Sequence, residues 1–417
     1  MSEFPTQRLD EFIADGSVLL GRGDVISKDD IEAHPGPYPI YSSSAHNNGK
    51  FGEYGKFMFD EELITWSVDG GGYFFYRAKH KYSVTNVCGY MRLRGEKLHP
   101  KFVYYSLANQ HRYLTFDYTT KAHPSVIKKQ YWLPTIAREQ QQKIAAILTG
   151  IDTAIEKTEA LIAKYQQIKA GLMHDLFTRG VTANGKLRPP REQAPELYQQ
   201  TLMGWIPKEW AVKDLSYALE SVVDGPFGSN LKTEHYVVDP GIRVVRLQNV
   251  VEFDYNDNDK AFISDRHANF LLRNKVVGGD VLIAGLGEER YPVGRACCYP
   301  DDIDPAINKA DCFRARCNPG VMKNRFFMLF LNSGMARRQV RRYEQGVTRP
   351  RINTGNLKRL SIGVPDLNEQ VQIVAKFDAV QSVIQVEPRF SIRASSRRIN
   401  GRKFGWQVEY FCGIPQA

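Results

Sequence analysis

The sequence predicts an α/β (α+β) protein with two similar domains, each on a mixed or curved β-sheet and each followed by a long helix. A set of sequence features occurs twice, about 230 residues apart, which is too long for a solenoid repeat and fits a duplicated domain. A segment of roughly 40 residues has a heptad pattern, with apolar residues at eight of ten seam positions. The segments around it alternate short β-rich runs with Gly, Asn and Asp turns. We expect the two long helices to pair as an antiparallel coiled coil.

The overall composition favours a nucleic-acid partner and gives no sign of a membrane protein. At 417 residues the chain can form two or three domains, and its formal net charge is +10. Such a charge favours a polyanionic partner, although many basic proteins bind no nucleic acid. The sequence has no run of roughly 18 apolar residues and no basic-then-apolar leader at its start. We therefore expect a cytoplasmic protein.

Residues 1–136 are predicted to form the first globular domain. The segment YSSSAHNNGKFGEYGKF, residues 41–57, offers hydroxyl, amide and ammonium donors on a Gly-rich loop. Such donors can contact phosphates and the edges of bases, while the alternative is an ordinary solvated hairpin loop. The candidate DNA-binding residues of this domain are Ser42, Ser43, Ser44, Asn47, Asn48, Lys50 and Lys121.

Residues 137–179 are predicted to form one continuous central helix, since residues 139–178 contain no proline. At 1.5 Å per residue these roughly 40 residues would make a rod about 60 Å long, which needs a partner helix. Residues 365–387 supply that partner as a shorter second helix, which Pro388 ends. The residues expected to form the seam are Ile144, Leu148, Ile151, Ile155, Ile162, Leu172, Ile373, Phe377, Val380 and Ile384.

Residues 180–203 are polar and Pro-rich and are predicted to be a linker, and residues 204–364 are predicted to form the second globular domain. A glycine loop at 224–236, a strand-like segment at 246–250 and an Arg-rich segment at 337–351 offer donors for DNA. Arg246 has an equally good alternative as a structural ion-pair partner. The candidates are Ser229, Asn230, Lys232, Arg246, Gln248, Asn249, Arg341, Arg342, Arg349 and Arg351.

The duplicated features follow one order. A basic residue precedes a proline, a second proline follows, and a Glu-Gln pair opens the helix. The matching positions are His123-Pro124 with Arg349-Pro350, Pro134 with Pro365, and Glu139-Gln140 with Glu369-Gln370.

Known catalytic motifs fail in this sequence. GVTANGKL at 180–187 nearly matches a phosphate-binding loop, but Leu187 stands where a magnesium-binding hydroxyl is needed. The sequence also shows no Asn-Pro-Pro-aromatic signature of adenine methyltransferases and no paired-acid nuclease cluster. We predict neither a catalytic nor a metal site.

These features resemble the specificity subunits of type I restriction–modification enzymes over residues 4–387. The resemblance rests on GVTRPRINTGNLKRLSIGVPDLNEQVQIVAKFDA, IKAGLMHDLFTRGV, GWIPKEW, RGDVISKDDI and DGPFGSNLKTEHY. It implies that each domain binds one half of a split target in double-stranded DNA. It also implies that the helices set the length of the unread spacer between the two half-targets. The seam residues of the helices would dock two methyltransferase (modification) subunits, and nuclease/translocase (restriction) subunits would join the complex. S-adenosylmethionine, ATP and Mg would belong to those partners, with no cofactor in this chain.

Residues 388–417 depart from that family, whose second helix should match the first in length. Here the helix breaks at Pro388 and a basic tail without a heptad follows. We expect weaker docking of one methyltransferase subunit, or its rescue by self-association of the chain. The alternative functions are a freestanding coiled-coil adaptor, which would give no sequence-selective DNA protection, and a DNA-modifying enzyme with an unrecognised active site.

Overall fold

A computed structural model describes residues 4–44, 46–69, 71–116, 121–238, 240–288, 291–386, 398–399 and 402–403. The chain divides into two compact units, Met1–Ala160 with Ser391–Ala417, and Leu161–Phe390. The boundary falls inside the long central helix, so each unit contains one part of that helix.

The first unit is a six-stranded mixed sheet with helices packed on it. The order is β2-β7-β5-β6-β3-β4, antiparallel except for β3 and β6, and β1 pairs separately with β8. The strands are β1 Thr6–Arg8, β2 Val18–Arg22, β3 Tyr38–Tyr41, β4 Lys50–Tyr54, β5 Phe59–Ser67, β6 Phe74–Val84, β7 Cys88–Leu93 and β8 Trp132–Pro134. The helices are α1 Leu9–Ala14, α2 Lys28–Ala33, α3 Pro100–His111 and α4 Pro124–Gln130.

The core of the first unit lies between this sheet and helices α1, α3 and α4. Trp66 is fully buried in β5, and its indole N–H donates to the Ala122 carbonyl at 2.7 Å. Gly89 on the neighbouring strand β7 faces Trp66, and a Cβ there would lie 2.3 Å from the indole ring. Only glycine leaves room for the ring at this position.

Helix α5, Arg138–Thr178, is a single helix of 41 residues. This confirms the prediction of one continuous central helix, which the absence of proline allows.

The second unit contains a four-stranded antiparallel sheet, β12-β22-β19-β20, and a five-stranded sheet, β13-β17-β14-β21-β18, in which β14 and β21 are parallel. The strands are β9 Tyr198–Thr201, β10 Gly204–Pro207, β11 Ala211–Asp214, β12 Leu219–Val223, β13 Tyr236–Val237, β14 Ile242–Val245, β15 Val250–Val251, β16 Asp254–Tyr255, β17 Phe262–Ile263, β18 Lys275–Val276, β19 Val281–Ala284, β20 Ala296–Cys298, β21 Ala306–Asn308, β22 Cys312–Cys317 and β23 Ser361–Val364. The helices are α6 Leu215–Ala218, α7 Asp265–Phe270, α8 Asn324–Asn332, α9 Gly334–Tyr343, α10 Thr354–Lys358 and α11 Leu367–Val386.

The two units repeat one topology, which confirms the prediction of two similar domains with mixed sheets. The order β2-β7-β5-β6 in the first unit corresponds to β12-β22-β19-β20 in the second, with antiparallel pairing throughout. The separate pair β1–β8 corresponds to β11–β23, and each pair is followed by its long helix. The repeated order of elements therefore reflects a repeated fold.

A buried glutamine fixes the start of the long helix in the first unit. The Gln141 Oε1 accepts the His99 backbone N–H at 2.8 Å, at the start of α3. Its Nε2 donates to the carbonyls of Lys97 and Ile136 at 3.0 and 2.9 Å. Gln141 is 1% exposed, so its carboxamide satisfies three buried backbone groups at once.

Gln370 makes the same three bonds in the second unit. Its Oε1 accepts the Lys323 N–H at 2.8 Å, before α8, and its Nε2 donates to the carbonyls of Val321 and Pro365 at 2.9 and 3.0 Å. The structurally equivalent pairs are therefore Gln140-Gln141 and Glu369-Gln370. The sequence alignment of Glu139-Gln140 with Glu369-Gln370 is therefore wrong by one residue. The two units repeat the three hydrogen bonds of the buried glutamine, whereas the residue before that glutamine differs.

Residues 180–203, predicted as a linker, are packed onto the second unit. Arg188 is 6% exposed, and its guanidinium pairs with both Glu369 oxygens at 2.5 and 3.0 Å and with Glu209 at 2.6 Å. Tyr198 is also buried. A buried, doubly paired arginine is costly to break, so this connection is ordered rather than loose.

Helix α11 has 20 residues and matches the predicted short second helix at 365–387. The predicted basic tail, residues 388–417, lies outside the described residues except for two short antiparallel strands, β24 Arg398–Ile399 and β25 Arg402–Lys403. No helix in the described ranges is both long and apolar enough to span a bilayer.

Candidate nucleic-acid interface

In the first unit, the Gly-rich loop after β3 presents its amide side chains to solvent. A 3-10 turn, Asn47–Gly49, places Asn47 and Asn48 at φ 49° and 52° and Gly49 at φ 75°. Asparagine tolerates this left-handed backbone because its short side chain adds little steric cost. The Ser42 N–H donates to the Gly49 carbonyl at 2.9 Å and closes the loop, which leaves Asn47 and Asn48 exposed.

Three of the other candidates of the first unit, Ser42, Lys50 and Lys121, have partners within the protein. Ser42 accepts the Thr85 hydroxyl at 3.0 Å and is half-buried, as is Ser43, whereas Ser44 is exposed. Lys50 pairs with Glu53 at 2.6 Å, and Lys121 pairs with Asp69 at 3.1 Å. Both lysines stay largely exposed, and such surface pairs are weak enough for a phosphate to replace the carboxylate.

In the second unit, a cleft of about 390 Å³ brings Gln248 and Arg349 together. Residues 286–288 and Arg349 meet at this cleft, where the Gly287 N–H donates to the Pro350 carbonyl at 2.8 Å. Gln248 and Arg349 are exposed, so an amide and a guanidinium face one opening. These are the side chains that bind adenine and guanine edges in bidentate fashion.

Arg295 holds the floor of this cleft and was not predicted from the sequence. It is 4% exposed, and its guanidinium donates to the carbonyls of Val250 and Leu247 at 2.8 and 3.0 Å and to others from the 286–292 segment. Burial lowers its pKa. Because every bond goes to backbone, Arg295 positions the loops around the cleft. Its place after Gly294 gives no signal of this role in the sequence.

Two of the three candidates at 246–249 are structural. Asn249 is fully buried, and its amide donates to the carbonyls of Asn256 and Asp259 at 2.8 Å each. The prediction that Asn249 contacts a base is contradicted, because its donors are already bonded and inaccessible. Arg246 forms an ion pair with Asp259, as the alternative interpretation had it. Gln248 alone is exposed.

The Arg-rich segment 337–351 is divided between two places. Arg341 and Arg342 are exposed in the last turn of α9, whereas Arg337 is bonded to Glu252 and to the Val293 carbonyl at 2.7 Å each. Arg351 lies beside the cleft, where it pairs with Asp311 at 3.1 Å and stays 58% exposed.

The loop after β12 is exposed at Ser229, Asn230 and Lys232. The Asn230 carbonyl bonds the His267 Nε2 at 2.8 Å, and the His267 ring stacks on His235 at 4.0 Å. Lys232 lies 3.7 Å from Glu234. The side chains of Ser229 and Asn230 are thus available to a partner.

The residues predicted to dock other subunits differ in their exposure, and some of them are buried. Ile373 and Phe377 are 0% and 1% exposed in the second unit's core, together with Met173 and Phe177 of α5. Their prediction as docking residues is contradicted, because the first turns of α11 cover their own domain. Leu172 packs partly against the same core.

The remaining seam residues of α5 are accessible. Ile151 and Ile162 are 40% and 48% exposed, and the half-buried ones are Ile144, Leu148, Ile155 and, on α11, Val380. Ile147 lies on the same face and is 64% exposed. The side chain of Ile384 lies outside the described residues.

Two domains of one topology, with exposed amide, hydroxyl and guanidinium groups and a net charge of +10, define a DNA-recognition protein. A model of the type I restriction modification DNA specificity domain matches residues 10–167 and 287–389. The chain belongs to this family, as its sequence resemblance predicted. It is a sequence-specificity subunit, which is the non-catalytic component of a type I restriction–modification system.

Relatives and a solved structure agree with this assignment. The chain is 40% identical over 90 residues to a type I specificity subunit N-terminus of Mycoplasma pneumoniae, which covers 21% of this chain and about half, 48%, of that relative. It is 22% identical to the type I restriction enzyme MjaVIII specificity subunit of Methanocaldococcus jannaschii, over 91% of this chain and 86% of the relative. The type I S subunit of M. genitalium has the same fold, with a TM-score of 0.58, 16% identity and coverage of 92% and 90%.

Proposed function

We propose that the two units each bind one half of a bipartite sequence in double-stranded DNA, in the cytoplasm. The repeated strand order of the two units is the observation that carries this proposal, because two similar folds on one chain offer two similar reading surfaces. In the second unit the reading surface is the cleft of Gln248 and Arg349, with Arg351 beside it. In the first unit it is the loop of Ser44, Asn47, Asn48 and Lys50.

The exposed face of α5 is proposed to dock the methyltransferase subunits. Ile147, Ile151 and Ile162 share that face and are exposed, which is unusual for large aliphatic residues on one side of a helix. The helices set the length of the unread spacer, and nuclease/translocase subunits join the complex for cleavage. S-adenosylmethionine, ATP and Mg are bound by these partners.

Mapping methylated adenines tests this proposal. The chain is expressed with the modification subunit of its own system, and one methylated bipartite sequence is expected. Arg349→Ala should weaken modification roughly tenfold, whereas Arg359→Ala, at an exposed arginine of the same unit, should leave it unchanged. Methylation by the chain alone would instead identify an enzyme, and no sequence-selective modification with the partner would identify an adaptor.

A further inference from the structure

Arg77 is a buried arginine in the first unit whose terminal nitrogens make no hydrogen bond to any residue that the structure describes. It lies in β6, is 2% exposed, and its guanidinium stacks on the Tyr41 ring at 3.6 Å. Its Nε donates to the Thr65 hydroxyl at 3.0 Å. Neither Nη1 nor Nη2 makes a hydrogen bond in the part of the chain that the structure describes. Burial lowers the pKa of Arg77.

Burying the donors of a charged group without hydrogen bonds costs free energy. The unbonded Nη1 and Nη2 of Arg77 therefore need an explanation. Arg295 shows the ordinary solution in the same protein, where every terminal nitrogen donates to a backbone carbonyl. Arg314 is also buried, and its terminal nitrogens donate to Ser221 and to the Arg273 carbonyl at 2.8 and 3.2 Å. Arg77 retains its free donors at a place where stability alone would favour an apolar residue.

The free nitrogens lie directly beneath the candidate reading loop. A Cβ on Gly49 would be 3.1 Å from Nη2 of Arg77, so the backbone of this turn passes close to the guanidinium. Gly49 belongs to the turn Asn47–Gly49, whose two asparagines are exposed. The loop and the unpaired guanidinium are two independent observations that coincide at one place.

We infer that Arg77 donates hydrogen bonds to acceptor atoms of DNA when the turn Asn47–Gly49 moves aside. The acceptors are the O6 and N7 of a guanine or the oxygens of a phosphate, both of which match the planar fork of a guanidinium. The stacked Tyr41 ring and the Thr65 hydroxyl fix the orientation of that fork before DNA binds. This inference rests on the proposed function and adds a specificity-determining residue to it.

The test uses the full chain assembled with the modification subunit of its own system. The variants are Arg77→Met, which keeps most of the volume without donors, and Arg77→Lys, which keeps the charge without the fork. Arg92→Met is the matched control, since Arg92 lies in the same sheet and is paired with Glu61 at 2.8 Å. Binding is measured to the mapped target, to duplexes with each position substituted, and over a range of salt concentrations.

For a guanine contact, Arg77→Met should lose about ten- to hundred-fold discrimination at one base pair. For a phosphate contact, it should weaken binding to all duplexes alike and lower the salt slope by about one. In either case the thermal midpoint of Arg77→Met should stay close to that of the wild type, because removal of the two unbonded buried nitrogens offsets the loss of the bond to Thr65.

Unchanged affinity, discrimination and salt slope in Arg77→Met would overturn the inference. If Arg77→Met does not fold, Arg77→Lys decides. Loss of discrimination at one base pair, or weaker binding to all duplexes, supports the inference, and wild-type affinity together with wild-type discrimination contradicts it. A wild-type complex without any methylated target would contradict the proposed function itself, which is a separate outcome.

Discussion

At the scale of single residues, neighbours with the same chemistry have different roles. Gln248 and Asn249 are adjacent amides, but one is exposed at the cleft and the other is fully buried and bonded. Between Arg246 and Asn249 the chain makes a 3-10 turn, in which the Arg246 N–H donates to the Asn249 Oδ1 at 2.8 Å. The turn therefore selects which amide faces the solvent. The inferred role of Arg77 is also decided by the fold, because no sequence pattern indicates it.

Asp224 gives a prediction on pH at this scale. Its Oδ1 accepts the N–H groups of Gly225 and Asp311 at 2.7 and 3.0 Å, and burial raises its pKa to about 6. Because the folded state binds this proton more tightly than the unfolded state, the stability that Asp224 contributes falls as the pH rises from about 4 to about 6. Asp224→Asn should therefore be more stable than the wild type at pH 7.5, by roughly 1 kcal/mol after discounting for partial exposure.

Thermal unfolding at pH 4 and pH 7.5 checks this prediction. The difference between Asp224→Asn and the wild type should nearly vanish at pH 4, where the carboxyl is mostly protonated in the folded state. Asp60→Asn, at an exposed aspartate, serves as the control. A less stable Asp224→Asn at pH 7.5 would mean that Arg351 compensates the burial of the carboxylate.

At the scale of elements, the heptad pattern does not distinguish the core of a domain from a docking face. Ile373 and Phe377 occupy seam positions of α11 and are buried in their own unit, whereas Ile151 and Ile162 occupy seam positions of α5 and are exposed. The same apolar spacing is expected for a helix that packs on its own domain and for a helix that docks another protein, because both need one continuous apolar face. The predicted antiparallel pairing of the two helices along the seam stays a prediction.

The two buried glutamines give a prediction for the helix starts. Gln141→Leu and Gln370→Leu should each destabilise their own unit by roughly 2–4 kcal/mol, because three backbone groups lose their partner in a buried place. Hydrogen exchange should rise around α3 in the first variant and around α8 in the second. Gln140→Leu, at the exposed neighbour, should show neither effect. Equal exchange in all three proteins would contradict the prediction.

At the scale of the whole molecule, the exposed face of α5 gives a prediction on assembly. Ile151→Asp combined with Ile162→Asp should abolish co-purification of the methyltransferase subunits and leave the thermal midpoint nearly unchanged, because both side chains are exposed. Ala160→Asp, on the opposite side of the helix, is the control. Retained co-purification with the double variant would contradict docking at this face.

Light scattering on the same complexes also tests the expectation for the tail. Removal of residues 388–417 should change the number of bound methyltransferase subunits if the tail weakens docking. Identical assemblies of two subunits with and without those residues would refute this.

The sequence by itself determined the duplication, the continuous α5, the short second helix and the class of protein. These properties follow from local periodicity, from the absence of proline and from the order of motifs, all of which are carried along the chain. Only the tertiary structure decided that Asn249 is buried, that residues 180–203 are packed, and that Gln248 meets Arg349 across a cleft. Exposure and contact depend on segments far apart in the chain, and composition does not encode which of them meet.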